Sequence, residues 1–130
     1  AREGALVLGE GARLAVTALP AGSFRHGPME LMGPGHAALV FAPAGPTRAL
    51  MDRLADDLRA AGSRVIRLAG AVSAEGSSSQ ITFPLAGFPA EAYFPLPAAI
   101  IVERVLAAVA ERRGLVPGRF QFGGKITTAE

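Results

Sequence analysis

The stretch HAALVFAPAGPTRALMDRLADDLRAAGSRVIRLA (36–69) decides the fold class. It opens with His36 to Ala42, a bounded apolar run of the kind found in strands buried on both faces. Pro43-Ala44-Gly45 ends that run, and Pro46 opens a helix on which Leu50, Leu54, Leu58 and Ala61 are expected to face inward. Gly62 stands where a C-terminal cap belongs, and Ser63 to Ala69 reads as the next strand. Strand, helix and strand in this order predict an α/β protein, a three-layer αβα structure with a mostly parallel sheet.

The pattern continues in both directions. Downstream come a Gly/Ser-rich loop from Gly70 to Ser79, a strand from Gln80 to Leu85, and a long helix from Pro97 to Gly114. The buried face predicted for that helix is Ile100, Ile101, the stem of Arg104, Val105, Ala108 and Val109, with Leu115 to Glu130 as an ordered tail. Upstream, Ala1 to about Ala15 has helical periodicity, with Ala5, Leu8, Ala12 and Ala15 on one stripe. Val16 to Leu19 is a short β-prone run that Pro20-Ala21-Gly22 ends, and Pro28 to Met32 reads as a short helix stopped by Gly33-Pro34-Gly35. No internal repeat is visible.

Composition narrows the function classes. The 130 residues suit one domain, half are apolar, and the mean hydropathy of +0.34 argues against disorder. No apolar run approaches the roughly 18 residues of a membrane span, so no membrane partner is expected. The absence of cysteine removes disulfides and thiolate metal sites and fits a cytoplasmic protein. The pI of 9.9 comes with a net charge of only +2. The arginines are scattered, aromatic platforms are sparse and no basic block appears, so nucleic acid is not the expected partner. One lysine, Lys125, stands against twelve arginines. The chain opens with Ala1 inside what reads as a helix, as expected for a portion of a longer protein.

Three segments could carry chemistry. Glu3, Val7 and Glu10 share one stripe of the first helix. Two glutamates so placed read as a solvated face, or as a pair in which a partly buried Glu10 serves as general base and Glu3 supports it. In Phe24-Arg25-His26-Gly27-Pro28, His26 stands just ahead of a predicted helix N-terminus, where the dipole disfavours imidazolium and a neutral ring can relay a proton. A histidine that merely caps a turn is the bland alternative, and His36, at the start of a strand, reads as structural. Lys125 lies in Gly123-Gly124-Lys125-Ile126-Thr127-Thr128, either a solvated tail or a lysine that meets a carbonyl or open-chain sugar. Gly9-Glu10-Gly11 lacks the preceding strand and the third glycine of a dinucleotide loop and is set aside.

Taken together these segments resemble the sugar-isomerase (SIS) family of phosphosugar isomerases and deaminases, in particular the C-terminal SIS subdomain of glucosamine-6-phosphate synthases. Ala1-Arg2-Glu3-Gly4-Ala5-Leu6-Val7-Leu8-Gly9-Glu10 is similar to the family's helix A-x-E-G-A-L-K-L-x-E. Ala21-Gly22-Ser23-Phe24-Arg25-His26-Gly27-Pro28 is similar to A-G-E-[LF]-[KR]-H-G-P. Gly124-Lys125-Ile126-Thr127-Thr128-Ala129-Glu130 is similar to the ending A-K-S-V-T-V-E.

The resemblance implies a flavodoxin-like SIS subdomain spanning residues 1–130, one half of a double-SIS protein whose first subdomain is not in this chain. It implies that Glu10 moves a proton between C1 and C2 of a hexose 6-phosphate. His26 would assist ring opening from across a homodimer interface, and Lys125 would engage the open-chain ketose. Glu3, Arg25 and Gly124 would contact substrate, and neither metal nor cofactor is called for.

Two departures qualify this. Val7 replaces a lysine common in the synthases, which leans toward an isomerase, deaminase or deglycase, or toward a regulator module that binds sugar phosphate without turnover. The family's phosphate-binding Ser/Thr loop belongs to the preceding subdomain, and Ser77-Ser78-Ser79 does not match it in chain order.

Overall fold

A computed structural model describes residues 1–69, 80–82 and 93–122. Its elements are α1 (Arg2–Ala12), α2 (Ala21–Arg25), a 3-10 turn (Pro28–Leu31), β1 (Ala37–Ala42), α3 (Arg48–Ala60), β2 (Arg64–Ala69), β3 (Gln80–Thr82) and α4 (Pro95–Arg112). The α/β expectation holds: the described strands form one parallel sheet in the order β1-β2-β3. The chain divides into two compact units, one of Ala1–Ala18 with Ala99–Glu130 and one of Leu19–Ala98.

The second unit is the β1-α3-β2 crossover read from the sequence. Ala38 pairs with Val65 and Val40 with Arg67, so Ala38, Val40, Val65 and Arg67 share one face of the sheet. On that face Val40 and Val65 form a core with Leu54, Ala55 and Leu58 of α3, and Ala21, Phe24, Met29, Met32 and Met51 pack against it. The opposite face carries Leu68, which is fully buried, so the C-terminal half of β2 is covered on both sides. Gly62 follows the C-cap Ala61 with φ of 88°, the left-handed turn that glycine adopts without strain. A Cβ there would also press on Pro34 Cγ at 3.2 Å.

Among the described residues, Arg67 is a charged residue buried on this face of the sheet. The residue is only 9% exposed, and Nη1 bonds to Asp52 Oδ1 on α3, while Arg48 Nε bonds to the other oxygen of the same carboxylate at 2.7 Å. Asp52 therefore bridges two guanidinium groups, one on the helix and one on the strand beneath it.

The first unit packs α1 against the later part of α4. Leu8 and Ala12 are buried as the stripe predicts, whereas Ala15 lies beyond the helix end and is exposed. The helices approach closely at Gly11, where a Cβ would stand 2.6 Å from Leu106 Cδ1.

Several expectations are corrected in detail. Leu50 is 57% exposed and Ala61 is exposed, because the buried stripe of α3 runs through Met51, Leu54, Ala55 and Leu58. On α4, Ile100 is 60% exposed, Arg104 and Ala108 are exposed, and the buried positions are Ala98, Val102 and Ala110. That helix is apolar on nearly every side, so periodicity alone does not select its inward face. Val16 to Leu19 has no regular structure, since no described strand offers it a ladder partner. Pro20, read as a terminator, is instead the N-cap of α2. The loop Gly70–Ser79, the continuation of β3 to Leu85 and the tail beyond Phe122 lie outside the described residues.

Candidate functional site

Glu10 stands in the last turn of α1, and both it and Glu3 are exposed, with Val7 half-buried between them on the same stripe. This side of α1 turns away from the buried Leu8 and Ala12, which is why the two carboxylates emerge together. The partial burial expected of Glu10 is not found within this chain, where the residue is exposed. Its backbone, however, is firmly placed. Arg13 closes the helix in the left-handed conformation, with φ of 53° and ψ of 44°, and its N–H donates to the Leu8 carbonyl. Leu14 N–H donates to the same carbonyl at 3.4 Å, and Arg113 Nη2 donates to the Arg13 carbonyl at 3.4 Å.

The carboxylate of Glu10 thus lies at the negative end of the helix dipole, and no basic residue accompanies it in that last turn.

His26 is exposed and closes α2, with φ of −97° and ψ of 35°. It also stands one residue before Gly27, the N-cap of the 3-10 turn, as the sequence suggests. Sequence reading missed α2, so the imidazole lies between the end of one short helix and the start of another turn. Gly27 adopts φ of 153° and ψ of −65°, a backbone that side-chain-bearing residues rarely take. Upstream, Phe24 packs on the core of α3 and the sheet. Arg25, expected on the substrate, has a protein partner: its Nη2 donates to Asp57 Oδ2 on α3 at 2.6 Å. Asp57 is 32 residues away in sequence, and no spacing rule could have paired the two.

Glu10 and His26 fall in different compact units. Gly124 and Lys125 lie outside the described residues. Among the described residues there is no group of three His, Asp or Glu side chains that could hold a metal, and no helix is long and apolar enough to cross a membrane.

A comparison with solved structures matches the chain to the C-terminal domain of glucosamine-fructose-6-phosphate aminotransferase from Francisella tularensis, with a TM-score of 0.67. The fold is SIS-like. The match extends over 88% of this chain at 22% sequence identity, and the chain spans 33% of the matched one, about a third of its length. No family model matches the chain, and neither does any curated protein. The SIS-like fold thus agrees with the motifs, while the residue roles rest on those motifs.

Proposed function

We propose that this chain supplies the proton-transfer half of a protein acting on a hexose 6-phosphate of the fructose 6-phosphate and glucosamine 6-phosphate type. Its active form is a double-SIS homodimer in the cytoplasm, with a preceding subdomain gripping the phosphate. In this reading His26, delivered across the dimer interface, protonates the ring oxygen as the anomeric hydroxyl loses its proton, and the sugar opens. Glu10 then removes a proton from C1 of the open ketose and returns it to C2, passing through an enediol-type intermediate. Lys125 holds the C2 carbonyl, while Glu3 and Gly124 line the substrate. One base serving both carbons requires a carboxylate held at fixed depth, and the doubly closed end of α1 suits that need.

The observation that carries this reading is the SIS-like fold bearing the R-H-G-P turn with an exposed His26. Support for Glu10 comes from the fixed backbone at the end of α1. In the full-length protein supplied with ammonia, which replaces the C2 carbonyl oxygen with loss of water, interconversion of fructose 6-phosphate and glucosamine 6-phosphate falls by at least ~100-fold in Glu10→Gln. A Glu10→Gln protein that turns over at the wild-type rate removes Glu10 from the reaction.

A second reading draws on Val7, half-buried where the synthases carry a lysine. It makes the chain a sugar-phosphate-binding module of a regulator. In that case wild type and Glu10→Gln bind hexose 6-phosphate equally in calorimetry and neither turns it over.

A further inference from the structure

The segment that carries His26 cannot hold itself. α2 has five residues and no side-chain cap at its N-terminus, far short of the length at which a helix is stable alone. On the downstream side Gly27 has a backbone with wide freedom, so the direction of the imidazole is set from upstream. Two anchors act there. Phe24 is seated on the core of Val40, Leu54 and Leu58, which fixes the depth of the helix. Arg25, next to His26, reaches across to Asp57 at 2.6 Å, which fixes its rotation about that seat. Asp57 lies on α3, the best-packed helix of the unit, and its neighbour Asp56 is paired separately with Arg59.

We infer that Arg25 and Asp57 form a clamp that orients the His26 imidazole, making both of them positioning residues for the ring-opening step. The inference rests on the reading of His26 given above. The ion pair is partly exposed, with side chains 36% and 41% accessible, so it adds little to overall stability. A catalytic group displaced by ~1 Å, by contrast, loses on the order of 100-fold in rate. The clamp therefore has a signature that a structural ion pair lacks: a large change in turnover with almost none in melting temperature.

The deciding experiment compares full-length wild type, Asp57→Asn, Arg25→Gln and the exchanged pair Arg25→Asp with Asp57→Arg. The first readout is the His26 ring resonance in a histidine-labelled NMR spectrum, which does not depend on turnover. The second is kcat and KM with fructose 6-phosphate. The third is proton exchange at C1 of a 5-deoxy ketose 6-phosphate, an acyclic substrate with no ring to open.

Each single variant is expected to shift and broaden the His26 resonance and to lower kcat by about tenfold or more. KM stays within about twofold and Tm within about 2 °C. Exchange on the acyclic substrate continues at the wild-type rate, and the exchanged pair recovers much of the loss. A His26 resonance unchanged in Asp57→Asn overturns the clamp, as does an equal loss on cyclic and acyclic substrates. If the resonance moves but Asp57→Asn and His26→Asn both turn over fructose 6-phosphate like wild type, the clamp stands and the role of His26 in the reaction falls.

Discussion

Between Leu19 and Ala98 the chain is organised by a parallel sheet, a covering helix and charged side chains that reach between elements. Between Ala1–Ala18 and Ala99–Glu130 it is organised by two helices that meet at a glycine, with a backbone closure at Arg13. Each region holds one candidate proton-transfer residue, and the means differ. His26 in the sheet unit is oriented through side chains, Phe24 and Arg25. Glu10 in the helical unit is placed through main-chain hydrogen bonds and close helix contact. The imidazole is accordingly open to disturbance by single side-chain changes that leave the fold intact. The backbone that carries the glutamate moves only if its helix moves.

This contrast can be broken most directly at Asp52. Its carboxylate bridges Arg48 and Arg67, so Asp52→Ala removes a carboxylate partner from both guanidinium groups, one of them on the largely buried Arg67. A loss of about 3 kcal/mol in urea unfolding is expected, with amide exchange in β2 accelerated most. A cost no larger than that of an ordinary surface change shows that Asp52 does not hold the sheet unit together.

A smaller effect is expected from Gly11→Val, where the new side chain meets Leu106 Cδ1 and the Leu106 side chain must repack. It costs about 1–3 kcal/mol, and combining it with Leu106→Ala is less damaging than the sum of the two single changes. Strict additivity in that cycle contradicts the close approach of α1 and α4.

The smallest change has the opposite sign. Arg13→Gly relieves a left-handed backbone while adding freedom to the unfolded chain, for a net gain of about 0.5 kcal/mol. A lower melting temperature for Arg13→Gly assigns the closure to the arginine side chain instead of the backbone.

Much of the fold was legible because its signals are local. His36 to Ala42 is an apolar run and Ser63 to Ala69 a β-prone one, both following turn residues, and the strands that form differ from them only at the first residue. The stripe of Leu8 and Ala12 and the cap at Gly62 read correctly for the same reason. Where apolar residues cover most of a helix, as on α4, periodicity loses its contrast, and Ile100 was placed inside when it lies outside. α2 escaped notice because Pro20 reads equally as the end of one segment and the start of another. Of the candidate site, the identities of Glu10 and His26 came from motif spacing, and their partners did not.

The amino-acid sequence by itself determined the α/β class, the parallel crossover, the shared stripe of Glu3 and Glu10, and the place of His26 before Gly27. These follow from periodicity and turn chemistry, which act over a few residues. Tertiary structure alone decided that Arg25 meets Asp57, that one carboxylate joins Arg48 to Arg67, and that Gly11 admits Leu106. These contacts arise from the packing of segments distant in sequence, and charge or size at one position carries no record of what will stand opposite it. The order of residues thus marked candidate groups for proton transfer, and the packing set Arg25, the neighbour of one of them, against Asp57.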